Sequence, residues 1–373
     1  MNRHSSLVIG IIILLVVVFT FGAGCTGQQN GMGSTQNAGS IVTLPAPSAL
    51  STGVPAPVVS KTGTCTPMTI IQTDGKEVTL PCNPRRIIVA NANAAEMVIG
   101  TGAGDRIVGV TDSTLRVPYI MDKIPTAVSI GDWQVPNIER MFSLNPDIVI
   151  AYSSSKPKNL DLIIASNISI ITLDCFKLST LASDARALGK ITGKMNEAEV
   201  YARMVEDSIA QVNGWIKKIP SEKYPEVYFE MYTKYTAAAP GSGADEMLTA
   251  AGGKNIAAGV SASSIKVSPE WVVARQPEYI FKVVSSSDTR PYSEILAELK
   301  NRPGWSTIPA VKNDRVYVLA NDIVYGPRAY VGLVWIAQIL HPDEFRDMHP
   351  RNMLIDYNNR YVNGTNTTMV IYP

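Results

Sequence analysis

The chain is short of histidine, cysteine and charge, and each shortage excludes something. Among 373 residues there are three histidines (His4, His341, His349) and four cysteines. Three dispersed histidines are too few for a histidine-rich zinc or manganese cage, so no metal ligand set and no cofactor is assigned. Charged residues make up 17% of the chain and the formal net charge is +1, which argues against nucleic acid as a partner. Gly241-Ser-Gly243 places glycines beside a serine without the spacing of a Gly-x-Ser-x-Gly elbow. His341, in Leu-His-Pro, sits too near a helix end to be an obvious base. No catalytic residue is assigned, and the chain reads as a non-enzyme.

Long apolar runs are also scarce, and the one from Leu7 to Phe21 follows Arg3 and leads through Gly22-Ala23-Gly24 to Cys25. This reads as an export signal over residues 1–25. Small residues before a cysteine resemble a lipobox, with Cys25 as the lipid attachment point; Gly22 departs from the usual leucine. The competing reading is an uncleaved anchor, because Leu7–Gly24 just reaches spanning length. Both readings send the remainder outside the membrane and hold it at the outer face of the cell membrane.

Residues 26–64 are rich in Gly, Ser, Thr, Pro and Ala without periodicity and read as a flexible tether. Residues 65–83 follow. There Asp74-Gly75 lies between alternating apolar residues, a hairpin signal that brings Cys65 and Cys82 near one another. An exported protein can keep a disulfide there; the alternative is two free thiols. Cys175 reads as a buried apolar residue.

What the chain does have is a template used twice. Asn137-Ile-Glu139 runs through a short amphipathic turn to Pro146, an acid and Ile148-Val-Ile150; Ser268-Pro-Glu270 runs likewise to Pro277, an acid and Tyr279-Ile-Phe281. Asn137 and Ser268 suit helix caps, and Pro269 suits the first helical position. Pro146 and Pro277 end their helices, because proline lacks the N–H and crowds the preceding turn. Two similar lobes follow, each presenting a glutamate at the same place.

Hydrophobic residues make up 46% of the chain, enough for two cores of ordinary size. From Pro84 onward continuous apolar strands alternate with helices, which means parallel sheets covered on both faces. Asn196, with Glu199 as its capping-box partner, is expected to open a long helix that carries an apolar stripe to Pro220. The expected organisation is a first lobe at 84–180, connecting helices at 181–220, a second lobe at 221–345 and a polar tail at 346–373.

Seven motifs in order resemble the class III substrate-binding proteins of ABC transporters, the iron–siderophore, haem and cobalamin type. They are Pro84-Arg-Arg-Ile-Ile-Val, Gly104-Asp-Arg-Ile-Val-Gly-Val, Asn137-Ile-Glu-Arg with Asn145-Pro-Asp-Ile-Val-Ile, Leu188-Gly-Lys-Ile-Thr-Gly, Ala251-Gly-Gly-Lys-Asn-Ile, Val267-Ser-Pro-Glu and Gly326-Pro-Arg. The resemblance runs from Pro84 to Pro342. It implies an α/β fold of two Rossmann-like lobes joined by one long helix, working as a monomer. It implies an extracytoplasmic lipoprotein that binds a metal chelate between the lobes and delivers it to an ABC permease dimer. In that family a glutamate on each lobe docks on the permease, and Glu139 and Glu270 stand at the matching positions. An enzyme handling metallocofactors, or a surface binding protein that serves no permease, remains the alternative.

Ligand contacts belong past the carboxyl ends of parallel strands. Those loops carry Asn91, Asn93, Asp112, Ser113, Trp133, Tyr152 and Ser153 in the first half. In the second they carry Tyr232, Tyr235, Ser285, Asn321, Tyr325 and Arg328. The assigned ligand residues are Trp133, Tyr325, Arg328, Asn93, Tyr152, Tyr232 and Tyr235, and aromatics with few charges suit a flat, largely apolar chelate or macrocycle. For each of these the competing reading is turn or core chemistry, and for Arg328 a local pairing with Asp322. Glu96 reads as solvated surface.

Overall fold

Central strands such as Ile87–Val89 and Ile148–Ala151 are apolar and buried along their whole length because their parallel sheet is covered on both faces. The computed structural model describes residues 65–165, 168–285, 288–362 and 370–373; Cys25, the export signal and the tether lie outside the described residues. Strands β1 (Met68–Ile71) and β2 (Glu77–Leu80) pair antiparallel across Asp74-Gly75, where Gly75 takes a φ of +80°. A disulfide joins Cys65 and Cys82 at the open end of this hairpin.

The first lobe holds β3 (Ile87–Val89), β4 (Ile107–Val110), β5 (Val128–Ser129), β6 (Ile148–Ala151) and β7 (Ser169–Thr172), all parallel, in the order β5-β4-β3-β6-β7. Ile87 and Val89 enter the main core while Ile88 enters a separate cluster on the opposite face with Met141 and Ile163. The second lobe holds β8 (Glu226–Glu230), β9 (Thr236–Ala238), β10 (Lys254–Asn255), β11 (Ser264–Lys266), β12 (Tyr279–Val284), β13 (Val316–Ala320) and β14 (Ile371–Tyr372). Its path is β11-β9-β8-β12-β13-β14, with β10 paired to β8. β8, β10, β12 and β13 are mutually parallel, whereas β9, β11 and β14 are antiparallel to their neighbours. Phe229 and Phe281 face the main core; Tyr228 and Ile280 face a second cluster around Trp305.

Between the lobes lies a helical hairpin, Leu178–Thr192 and Met195–Ile216, turning at Gly193 with a φ of +68°. The second helix has 22 residues and is therefore roughly 33 Å long. Its stripe of Tyr201, Val205, Val212 and Ile216 joins the core shared by both lobes. The two helices cross so closely that a Cβ on Gly189 would stand 2.4 Å from that of Ala198. The expected capping box at Asn196 does not form. The helix begins at Met195, and Glu199 is drawn instead to Arg186 (2.7 Å) and Arg203 (3.0 Å), because the neighbouring helix places a guanidinium within its reach.

The described residues after Pro342 are part of the fold. Pro350–Tyr357 forms a helix, and β14 extends the second sheet by pairing with β13. Tyr357 reaches the first lobe, where its hydroxyl donates to Glu96 Oε1 at 2.7 Å. Glu96 is thus not solvated surface; it is 6% exposed. Arg328 of the second lobe donates to the same oxygen through Nε (3.1 Å) and Nη2 (3.0 Å), and Tyr119 donates to Oε2 (2.7 Å). Burial of the first helix against the second lobe makes this glutamate an interlobe anchor, a pairing that spans 232 positions of sequence.

The cysteine hairpin covers the exposed edge of β7, which would otherwise offer unpaired backbone groups. Thr172 donates to Gln72 Oε1 through its N–H (2.8 Å) and its hydroxyl (2.9 Å). At the hairpin tip Thr73 donates its hydroxyl to buried Asp184 (2.7 Å), whose other oxygen accepts the Cys175 N–H (2.8 Å).

Two measurable consequences follow from these buried carboxylates. Burial, opposed by these hydrogen bonds and aided by Asp174, pushes the Asp184 carboxyl up to about 6. The folded state therefore holds this proton more tightly than the unfolded chain. Its stabilising effect is full below 3.8 and lost as pH rises through about 6. Lowering pH from about 7 to about 5 should raise the melting temperature of the native chain relative to Asp184→Asn; an identical pH response in the two proteins contradicts this. Glu96→Gln, which leaves Arg328 short of its main counter-charge, should lower unfolding free energy in urea by about 3 kcal/mol. A loss below about 1 kcal/mol would mean the pair adds nothing beyond an exposed one.

Candidate ligand cleft

In each sheet the strand order reverses beside a central strand, between β3 and β6 in the first lobe and between β8 and β12 in the second. Open parallel sheets bind ligands outside the carboxyl ends of strands at such a point. A cleft of about 440 Å³ lies there, bounded by both lobes. Asn93 reaches it after β3, Ser113 after β4, Trp133 after β5, and Tyr152 with Ser154 after β6. Met231 and Tyr232 reach it after β8, Ser285 after β12, and Asn321 with Tyr325 after β13.

Local chemistry sets these positions. Asn91 is a buried cap: its Oδ1 accepts the N–H groups of Asn93 (3.0 Å) and Ala94 (3.2 Å), and its Nδ2 donates to the Leu173 carbonyl (2.6 Å). It thus fixes Asn93 without facing the cleft itself. Trp133 sits in a loop pinched by a bridge between Gly131 and Pro136, with Asp132 accepting the Gln134 N–H at 2.8 Å. Lys282, buried in β12, donates to the Tyr232 carbonyl at 2.8 Å and to the Met231 carbonyl, tying down the loop after β8. The Tyr232 hydroxyl donates to Asn321 Oδ1.

Five rings run across the cleft in edge-on or tilted steps. Trp133 and Tyr152 are 5.6 Å apart, Tyr152 and Phe176 6.3 Å, Phe176 and Tyr325 5.7 Å, and Tyr325 and Tyr232 6.1 Å. Burial is the main cause that pushes the Tyr152, Tyr232 and Tyr325 hydroxyls above their ordinary range, so all three stay protonated at neutral pH. Among the described residues, none that lines the cleft carries a charged side chain.

Trp133, Tyr152, Tyr232, Tyr325 and Asn93 are therefore brought together, while two of the residues assigned from sequence are placed elsewhere. Arg328 is 1% exposed and is consumed by Glu96 and by Asp322 (3.0 Å), with its guanidinium 5.0 Å from the Tyr119 ring. Pairing, not ligand capture, satisfies its donors. Tyr235 belongs to a buried network in which Glu230 accepts the Tyr235 N–H (2.8 Å) and both Arg302 amino groups (2.6 and 2.9 Å). Its ring lies 4.5 Å from the Arg302 guanidinium, because the chain turns at Tyr235 with a φ of +57° and carries it off the cleft edge.

Phe176 escaped the sequence reading. It follows β7 at the same sheet edge, but the apolar run ends at Leu173 and gives no sign that the chain turns back. Among the described residues no cluster of three or more His, Cys, Asp and Glu could hold a metal ion. A larger depression, about 670 Å³, lies beside Glu226 and Lys254 at the amino-terminal ends of β8 and β10, the wrong end of the sheet for a ligand cleft.

Glu139 and Glu270 are both exposed in first helical turns. Asn137 Oδ1 accepts the Arg140 N–H (2.9 Å) and Ser268 Oγ accepts the Trp271 N–H (3.2 Å). Its own backbone N–H and the Ser268 hydroxyl hold the Glu270 carboxyl below its usual range. Both helices leave the carboxyl edge of their sheets, so the two charges stand on the cleft side of their lobes and outside its lining.

Comparison with known proteins gives the same architecture. No helix of the described residues is long and apolar enough to cross a membrane. Over 289 residues the chain is 27% identical to the uncharacterized ABC transporter substrate-binding lipoprotein YvrC of Bacillus subtilis, covering 75% of this chain and 88% of that protein. It is 27% identical over 253 residues to a cobalamin-binding protein of Halobacterium salinarum, covering 66% and 67%. The structure superposes on Haemophilus influenzae MolA bound to molybdate with a TM-score of 0.67 at 20% identity, covering 79% of this chain and 98% of MolA. Residues 87–323 match the profile of the family described as periplasmic binding protein. Two lobes, a helical strut and a cleft at paired strand ends are thus the family's solution in this sequence, and the chain belongs to the periplasmic binding protein family.

Proposed function

We propose that this protein captures a flat, largely apolar metal chelate or macrocycle between its lobes and hands it to an ABC permease from the outer face of the membrane. The reading rests on one observation: a cleft at both switch points, crossed by five rings and lined by described residues none of which carries a charged side chain. A bare oxyanion such as the molybdate bound by MolA needs cations or a dense set of N–H donors in place of its water. A macrocycle edge needs apolar faces and a few neutral hydrogen-bonding groups, which Asn93, Ser113, Ser154 and Asn321 supply. Cobalamin, the ligand named for the Halobacterium relative, is of this kind, as is haem; an iron–siderophore complex is the compact alternative. Cys25 carries the lipid in this reading, and residues 26–64 give the reach to meet a permease.

Binding is followed by tryptophan emission with cyanocobalamin, haemin and an iron–siderophore as probes. Trp133→Ala should weaken the probe that binds the native chain by about tenfold or more, the loss of one aromatic wall. Unaltered affinity in this variant would put the site outside the cleft.

Glu139 and Glu270 are the docking pair in the same reading, because exposed charges at a rim set register and association rate more than ligand affinity. Replacing both with alanine should leave ligand affinity within about twofold and abolish ATPase stimulation of the reconstituted permease. Loss of ligand binding with docking intact would reverse the assignment of the two surfaces.

A further inference from the structure

Phe176 lies where rings of the two lobes meet. Its ring stands edge-on to Tyr152 of the first lobe, at 6.3 Å and 62°, and to Tyr325 of the second, at 5.7 Å and 70°. The helix behind these rings opens on Gly243, where a Cβ would stand 3.1 Å from Tyr325 Cε1 and 3.6 Å from Phe176 Cδ2. The rings occupy the space a side chain would need.

An extended continuation of β7 would not deliver the ring there. The chain turns at Cys175, which takes a φ of +55°, a left-handed conformation that residues with a side chain rarely adopt. A hydrogen-bonded hook holds that turn. The Cys175 N–H donates to Asp184 Oδ2 (2.8 Å), Asp184 Oδ1 accepts the Thr73 hydroxyl (2.7 Å), and Thr73 Oγ accepts the Asp174 N–H (2.9 Å). Asp174 Oδ1 in turn accepts the N–H groups of Ser153 (2.8 Å) and Ser154 (2.9 Å), directly after Tyr152. One hook therefore governs the backbone on both sides of the Tyr152–Phe176 ring pair. Asp184 itself is 1% exposed and touches no ligand space.

We propose that Phe176 is a selectivity-determining residue of the cleft and that Asp184 is the positioning residue that presents it, a claim that rests on the capture reading above. A planar macrocycle wide enough to touch Tyr152 and Tyr325 together lies against Phe176. A compact chelate held by one lobe does not. The hairpin tip at Thr73 thereby becomes part of the cleft's support, which links the disulfide-closed segment to ligand choice.

The test uses the full chain with cyanocobalamin and haemin as planar probes and ferrichrome as a compact one. Phe176→Ala should lower affinity for the planar probe that binds by about tenfold, shift ferrichrome by less than about threefold, and be rescued by Phe176→Tyr. Fluorine NMR of 4-fluorophenylalanine at position 176 reads the hook without any ligand. A single resonance in the native chain should broaden or split in Asp184→Asn, and also in Thr73→Val, which removes both hydroxyl hydrogen bonds of the hook and spares the buried carboxylate. Equal losses for planar and compact probes overturn the selectivity role. An unchanged fluorine line in both hook variants overturns the positioning role. If the native chain binds none of the three probes, the capture reading fails and the selectivity role with it, while the fluorine spectra still decide whether Asp184 holds the ring.

Discussion

The cleft exists because two lobes are held at one separation, and the buried contact of Arg328 with Glu96 is the constraint that fixes it. A buried ion pair is poor evidence of net stability, since taking two charges out of water offsets most of their attraction. It is strong evidence of geometry. Moving the lobes apart would strip Glu96 of the Arg328 N–H groups and of the Tyr357 hydroxyl, leaving it the Tyr119 hydroxyl and no counter-charge. Arg328 would keep only Asp322. Every other device works around this fixed spacing: the 22-residue strut packs both lobes into one core, and the C-terminal segment reaches from β14 in the second sheet to the first lobe's opening helix.

The parts legible in the sequence are those whose chemistry is local. Asn137 and Ser268 cap their helices because a side-chain oxygen beside the free N–H groups of a first turn needs no distant partner. The strands of both lobes were readable because parallel sheets buried on both faces leave unbroken apolar runs, as in Ile148–Ala151 and Tyr279–Val284. Glu199 was misread although its spacing from Asn196 was right, since a guanidinium from the next helix outcompetes a backbone N–H for a carboxylate.

The parts that were illegible depend on partners far away in sequence. Nothing near Glu96 announces Arg328, so an acid on an early helix looked like surface. Arg328 looked like a ligand grip for the complementary reason, because a guanidinium after Gly-Pro has no visible counter-charge except Asp322. Tyr235 and Tyr232 stand three residues apart in one loop, yet Lys282 pins the second toward the cleft while Glu230 and Arg302 draw the first into the sheet's outer core. Loop position named the right edge of the sheet; long-range charge decided which side chains face the ligand.

The distribution of charge over the molecule follows the same division. The buried arginines and the buried lysine are paired with acids outside the cleft lining, in Arg328–Glu96 between the lobes and in Glu230–Arg302–Lys282 beneath the second lobe's loops. The cleft itself is left with rings, hydroxyls and amides. Glu139 and Glu270 are exposed and lie outside its lining. A ligand without charge would leave the field around them almost unchanged whether the cleft is full or empty. On the proposed docking role of Glu139 and Glu270, a partner would distinguish loaded from empty protein through shape at the cleft mouth, because charges this exposed are screened over about 10 Å and register only contacts at the rim.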